Sequence, residues 1–360
     1  MSYFLAFAGF AALIVLHELG HFLAAKAVGM RVERFALFFP PLVAKKTWGE
    51  TEYGIGAVPL GGYVKITGMN PAEDIPPEVA HRAYYRQAPW KRIVVIAAGP
   101  IMNIVVAFVI LWALFAFQGV ATGISQKVDT VNAGSPAAGK LQAGDRIVSI
   151  DGQKSDPELF SAAVQSHVCF GIPYKGCRAL SPARVVILRD GARKVLRLTP
   201  TYDPDAKRTR LGFAFGIVYD RQGVLEASSS SISGMWRVTK ATVSSLGRIF
   251  VSSKARKEVS GVVGSYETTR QTISTFGFVD AMNILAIISL SLAIVNLFPF
   301  LPLDGGHIFW AIAEKLRGKA VPFDWMEKAS VLGFMLVIVL FAIGLTNDIG
   351  RLQGEGFGVR

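Results

Sequence analysis

Two histidines and a glutamate fall within five residues of "LIVLHELGHFLAAK", Leu13 to Lys26. Residues four apart on an α-helix share a face, so His17 and His21 can aim ring nitrogens at one ion. Glu18 sits round the side, close to such an ion without having to bind it. H-E-x-x-H on a helix is the pattern of a zinc site: two neutral imidazole ligands and a carboxylate base for an attacking water. The flanking residues are apolar, and translocon scales charge about 2.5–3.5 kcal/mol for a central charged residue in a span. Three ionisable groups together demand a function, and one bound zinc accounts for all of them.

A catalytic zinc takes three protein ligands and keeps a fourth position open. The extension H-x-x-G-x-x-H fails here, because Ala24 and Ala27 stand where its Gly and His would be. The third ligand must come from elsewhere. "NLFPFLPLDGGH", Asn296 to His307, closes a later apolar segment. Pro299 and Pro302 interrupt helix there, and Asp304 follows in a Gly-rich turn. An isolated Asp-Gly is an ordinary turn pair. Beside HELGH it becomes the carboxylate that completes a His–His–Asp site, with His307 a competitor ranked below it.

The elements that must position these groups are largely apolar. Of 360 residues 51% are hydrophobic, and the mean hydropathy is positive, too apolar for an ordinary soluble enzyme. Four segments reach the roughly 20 residues a membrane helix needs: Phe4–Ala25, Ile93–Phe117, Val279–Leu301 and Ala329–Leu345. The first lacks the basic residues that precede a signal peptide's apolar core, and its polar cluster would spoil that core.

The net charge of +12 invites a nucleic-acid reading that its distribution disfavours. Ten Lys or Arg residues, from Lys26 to Arg92, lie between the first two spans, and Lys315, Arg317, Lys319 and Lys328 lie between the last two. Positive-inside logic makes both loops cytoplasmic and places both termini and the central domain outside. The central domain is basic without aromatic-interleaved nucleic-acid motifs, so anionic lipid head groups are the simpler partner. No nucleic acid is expected.

Between the spans the pattern changes. "WGETEYGIGAVPLGGYVKITGM", Trp48 to Met69, reads as short Gly-rich strands with turns. Val120 to Asp203 is a compact β-rich unit, in which "RVVILRDGARKVLRLTP" predicts a hairpin turning at Asp190-Gly191. Ile232, Met235, Trp236, Thr239, Val243, Leu246 and Phe250 recur at helical spacing, for a helix lying in the membrane interface or packing on the protein. The only cysteines, Cys169 and Cys177, flank a short Gly/Pro-containing loop on the outer side. They form a disulfide candidate, two unpaired thiols being the alternative.

HELGH in the first span, "PLGGYVKITGM" after it, the β-rich unit, and "NLFPFLPLDGG" in the third span follow one another in an informative order. Together they resemble the site-2 protease family of intramembrane zinc metalloproteases, of the bacterial RseP type that cleaves membrane-bound anti-sigma factors. The resemblance covers most of the chain. It implies that His17, His21 and Asp304 bind Zn2+, that Glu18 is the general base, and that Asn296 contacts the substrate. It also implies a membrane-re-entrant β element at the Gly-rich strands. With Gly54, Gly56, Gly61 and Gly62, these strands are a candidate for meeting an extended substrate by strand addition, a plain cytoplasmic hairpin being the alternative. Two features depart from the family. A single PDZ-like unit is present where some relatives carry two, and Val262 in "SGVVGSY" replaces the proline of an expected Gly-Pro pair.

The expected fold is an α-helical membrane protein with about four transmembrane helices, a Gly-rich membrane-associated β element and one extracytoplasmic PDZ-like α+β domain. The first span with HELGH occupies 1–27, the cytoplasmic-side β element and loop 28–92, the second span 93–118 and the PDZ-like domain 119–223. A segment with an amphipathic helix follows at 224–278, then the third span ending at LDGG at 279–303. A cytoplasmic loop at 304–328, the fourth span at 329–346 and a tail at 347–360 complete the chain. The expected activity is zinc endoproteolysis within single-span substrates already trimmed outside, such as anti-sigma factors or signal-peptide remnants. The active site would lie towards the cytoplasmic side of the cell membrane, and the PDZ-like domain would bind peptide tails or exclude bulky substrates. The rival classes are a metal or proton transporter built on intramembrane His, Glu and Asp, and a non-catalytic PDZ-bearing scaffold with a structural zinc.

Overall fold

The computed structural model describes residues 1–357 except 71–72, 155–156, 205, 250, 276 and 355. It divides into two compact units, Met1–Ala116 with Gly223–Arg360, and Phe117–Gln222.

The first unit opens with helix α1 (Ser2–Ala27), which carries HELGH. Strands β1 (Val32–Trp48) and β2 (Thr51–Ile66) follow, and then α2 (Pro89–Ala113), which runs on as a π-helical turn to Gln118. Pro89 opens α2 at little cost, because the first helical turn has no use for its missing N–H. Val95 and Ile96 of α2 share a buried cluster with Ala25, Met30, Val32, Ile66 and Tyr84, so the end of α1 is locked to both strands.

The two strands each bend and pair twice. Arg34–Leu37 face Lys65–Gly62 on one side and Glu52–Ile55 on the other, while Leu42–Trp48 pair back on Gly56–Thr51. The break in β1 falls at Phe38–Pro41, where Phe38 has φ 72° and two prolines cannot continue a ladder. The break in β2 falls near Gly61, φ 125°. The result is a small sheet of four short segments, of which Trp48–Met69 supplies two; Val32–Trp48 supplies the other two, which the proline pair obscured in the sequence.

The second unit is a twisted sheet. Its strands are β3 (Val120–Val131), β4 (Arg146–Ile150), β5 (Gln153–Lys154), β6 (Ala183–Arg189), β7 (Ala192–Leu198), β8 (Thr201–Asp203), β9 (Arg208–Arg210) and β10 (Phe213–Asp220). The order is β10-β3-β4-β6-β7, with β5 on β4 and β8–β9 as a separate pair. Helix α3 (Pro157–Gln165) drives Phe160 and Val164 into a core with Val128, Ile147, Val185 and Ile187. Asp190 and Gly191 both have positive φ, as a two-residue hairpin turn requires. "RLGF" ends β9 and turns at Gly212 into β10. Cys169 and Cys177 are joined as a disulfide.

The chain returns to the first unit through α4 (Val224–Ile249), α5 (Ser253–Glu258), α6 (Val262–Thr275), α7 (Phe278–Asn296), α8 (Asp304–Arg317) and α9 (Phe323–Gln353). Two expected boundaries change. The third apolar helix ends at Asn296, not 303, and residues 304–317 are helix where a loop was expected. Pro299 and Pro302 break the chain after α7, as their ring geometry dictates. Asp304 then restarts a helix instead of sitting in a turn, and Gly305 packs so tightly on the carbonyls of Leu297 and Phe298 that any Cβ would collide. The last helix is longer at both ends than 329–346 and takes in part of the expected tail.

Among the described residues, four helices are long and apolar enough to cross a membrane: Ser2–Ala27, Pro89–Gln118, Phe278–Asn296 and Asp324–Gln353. On α4, Ile232, Trp236 and Val243 stay exposed, Met235, Thr239 and Leu246 are half-buried, and Ala227 and Ser231 are buried, so the apolar face picked out by spacing only partly coincides with the face that packs. Phe250 lies outside the described residues. Asp348 of α9 is fully buried and caps α6, accepting from Gly261 N–H at 3.0 Å, Gly264 N–H at 2.7 Å and Ser260 Oγ at 3.3 Å. The "SGVVGSY" stretch thus forms a helix start held by a carboxylate from the far end of the chain.

The turn between β1 and β2 is tied down by charge. Glu50 accepts from Arg82 Nη1 at 2.6 Å and from Lys26 Nζ at 2.6 Å. Arg82's hydrogen bonds above all, against partial burial that pushes the other way and with Lys26 assisting, hold its carboxyl down from the ordinary 4.5 to about 2. A depressed carboxyl contributes stability in full above its unfolded value, and that stability is lost as pH falls through the folded one. Thermal unfolding in detergent will therefore show the native protein more stable than Glu50→Gln at neutral pH. The gap will close between about pH 4.5 and 2; a gap independent of pH would remove the ion cluster as its source.

Candidate metal centre

His17 and His21 stand one turn apart on α1, and Asp304 is the first residue of α8. His17 Nε2 lies 3.2 Å from His21 Nε2, and Asp304 Oδ2 lies 3.3 Å from the first and 3.5 Å from the second. Both histidines are buried. Asp304 Oδ2 is buried too, with no hydrogen-bond donor aligned on it. Three acceptor atoms converging in this way form a set that a cation between them would satisfy. Ligands on a tetrahedral zinc, at bonds of about 2.0–2.1 Å, stand roughly 3.3–3.4 Å apart. The observed triangle has that size, so the residues present fit a zinc ion. His307 is outside the converging group.

What lies behind the rings sets their lone pairs. His21 Nδ1 donates to Val95 O at 2.9 Å, which fixes the proton on Nδ1 and leaves Nε2 free to ligate. The α1–α2 approach that allows this depends on Gly99, where any Cβ would run into the His21 ring. His17 Nδ1 faces the side-chain amide of Asn103 at 3.2 Å. Asn103 is fully buried, with Oδ1 lacking a partner on the other side. A half-turn of the amide exchanges oxygen and nitrogen. With its oxygen toward the ring, Asn103 accepts the Nδ1 proton, and His17 Nε2 faces the centre as a ligand. Ser289 Oγ of α7 donates to Asn103 O at 2.9 Å and ties this arrangement to the third apolar helix.

Glu18 lies within electrostatic reach of His17, His21 and Asp304. Backbone passes close over it, for a Cβ at Gly62 would meet the Glu18 side chain. Gly62 begins the outer segment of the small sheet, and among the described residues no strand pairs with the free side of Gly62–Ile66. A groove of about 430 Å³ runs beside that segment, lined by Tyr63, Val64, Lys65, Met69, Asn70 and Glu73 among others. Gly61 turns the chain into this edge. Gly54 and Gly56 lie elsewhere, packed on the β1 backbone at Ala44 and at Phe38–Phe39. Asn296, the last residue of α7, holds its amide 3.5 Å from His17 Nε2.

Asn103 is the site residue that spacing and motif reading missed. Its signal was available: an amide in the middle of an apolar helix, which is expensive there unless bonded.

The model of the family described as Peptidase family M50 matches residues 5–340. A Clostridium acetobutylicum protein whose name assigns it as a zinc metalloprotease is 30% identical over 354 residues, covering 97% of this chain and 98% of its own. A Rhizobium meliloti protein similarly named is 31% identical over 367 residues, 95% of this chain and 94% of that one. Zinc metalloprotease Rip1 of Mycobacterium tuberculosis is 29% identical over 402 residues, 94% of this chain and 96% of that one. Among solved structures, the PDZ domain of an SdrC-like protein from Listeria monocytogenes covers 27% of this chain and 90% of its own, at 20% identity and a TM-score of 0.21.

Replacing Asn103 tests the part assigned to it. Asn103→Leu removes the acceptor behind His17 and is expected to lower metal affinity about 10–100-fold, while Asn103→Asp keeps an acceptor and is expected to restore most of it. Competition with a chromophoric chelator reads both. Equal losses in the two variants would make Asn103 a packing residue only.

Proposed function

The chain belongs to peptidase family M50, and on that premise we propose that it is an intramembrane zinc endoprotease whose centre is His17, His21 and Asp304. The observation that carries this reading is the convergence of those three buried acceptors, drawn from helices far apart in the chain, with Glu18 alongside. Three protein ligands leave one position for chemistry, where a purely structural site would have four. This separates the reading from the scaffold alternative.

Zinc held there supplies Lewis acidity for a peptide carbonyl and for the attacking water. Glu18 takes the water's proton and passes it to the leaving amine. Asn103 and the Val95 carbonyl keep the two rings in the ligating tautomer. Asn296, at the mouth formed by the end of α7, offers an amide able both to donate to and to accept from a nearby backbone.

The substrate class follows from the bilayer. A spanning helix has its backbone groups bonded internally, and each one exposed in hydrocarbon is disfavoured by several kcal/mol. To be cut it must unwind and find replacement bonds. The free edge at Gly62–Ile66 offers a row of them next to Glu18, by strand addition. Substrates are therefore single-span membrane segments already freed of large outer domains. The basic segments 26–92 and 315–328 support a centre towards the cytoplasmic side, with both termini and the PDZ-like unit outside. That unit would bind newly trimmed tails or screen by size.

Glu18→Gln is the direct test, with cleavage of a model single-span substrate in detergent and zinc content measured on the same sample. Cleavage is expected to fall by about 10²–10⁴-fold with zinc retained. An unchanged rate would remove Glu18 as the base, and loss of zinc would make it a ligand instead.

A further inference from the structure

The second unit carries a loop that its own fold does not use. Residues 167–182 are closed by the Cys169–Cys177 disulfide, with Cα atoms 6.2 Å apart. Their backbone is stitched to the connection between β7 and β8. Ala179 N–H donates to Pro200 O at 2.8 Å, Tyr202 N–H to Cys177 O at 2.9 Å and Gly176 N–H to Tyr202 O at 3.1 Å. A loop this firmly held could turn its apolar side chains inward. Instead Phe170, Ile172 and Tyr174 stand 85%, 90% and 69% exposed. Such gatherings of large apolar groups mark a contact surface.

Within residues 167–182 themselves the charge is of one sign. Lys175 and Arg178 are exposed beside the aromatic residues, and no Asp or Glu occurs between Glu158 and Asp190. Aromatic and cationic side chains without anions suit the boundary between lipid head groups and acyl chains, where the rings enter and the cations meet phosphate.

The position of the loop in the sheet points the same way. Asp220, the last residue of β10, pairs with Val120, the first of β3. The chain therefore enters from α2 and leaves to α4 at one end of the sheet. β4 runs antiparallel to β3, so its far end, Ile150, points back toward that end. Ile150 faces Val185 near the start of β6, and residues 167–182 lead directly into β6. His167 Nε2 also bonds Asp151, just past β4, at 2.8 Å. The loop thus lies at the end of the sheet tied to α2, a helix long and apolar enough to cross a membrane.

We propose that the disulfide-closed loop docks on the bilayer surface, with Phe170, Ile172 and Tyr174 in the head-group boundary and Lys175 and Arg178 on anionic lipid phosphates. It would steady the second unit against the membrane independently of the metal centre.

The test places a benzophenone amino acid at position 170, at 172, or at Val195, an exposed apolar position on β7. The full-length chain sits in nanodiscs containing phosphatidylglycerol and is irradiated, and mass spectrometry identifies what has been captured. Lipid adducts at 170 and 172, with none at 195, are the expected result. Peptide adducts alone at 170 and 172 would make the loop a protein-docking surface and overturn the proposal. No adduct at either position, or lipid adducts equally at 195, would overturn it as well.

Discussion

The proposed centre depends on the meeting of three buried acceptors, a set that a cation between them would satisfy. His17 and His21 reach the point because a helix repeats every 3.6 residues. Asp304 reaches it because α7 stops at Asn296 and a proline-broken turn restarts the chain as α8. Neither arrangement suffices alone. The glycine at 99 lets α1 and α2 come close enough for a backbone carbonyl to set one imidazole, and the amide of Asn103 stands behind the other.

A protease within a membrane also needs its substrate's backbone laid bare beside the metal. Lipid offers that backbone no hydrogen bonds, so the protein must. The small sheet of β1 and β2 is built for closeness at this point. Its outer segment starts at a glycine pressed against Glu18, and its far side is unpaired among the described residues. In the proposed function, the edge that would be an aggregation hazard on a soluble protein is the means of holding an unwound segment. Ion clusters around Glu33, Glu50 and Glu52 fasten this sheet.

Much of the site was legible in the sequence because it rests on local rules. The spacing of His17 and His21 states a shared helix face directly, and the need for a third ligand beside HELGH points to Asp304. Its surroundings were less legible. Asp304 opens a helix, with Gly305 packed on the α7 end, where Asp-Gly-Gly signalled a turn. The strand character of Val32–Trp48 was hidden by Pro40 and Pro41, which mark the bend rather than the absence of strands. Asp348 acts on a segment far away in sequence, so no local pattern announces it, while Asn103 announces a costly amide in an apolar helix without naming its partner. Among the glycines of the β element, sequence could not separate Gly62, beside Glu18, from Gly54 and Gly56, which pack the hairpin on itself.

X-ray absorption at the zinc edge, recorded on the purified chain and on Asp304→Ala, tests the central claim most directly. The account predicts two imidazole nitrogens at about 2.0–2.1 Å and light oxygen ligands at about 2.0–2.2 Å, with the carboxylate contribution lost in the variant. A native spectrum with sulfur ligands, or one that Asp304→Ala leaves untouched, would contradict it.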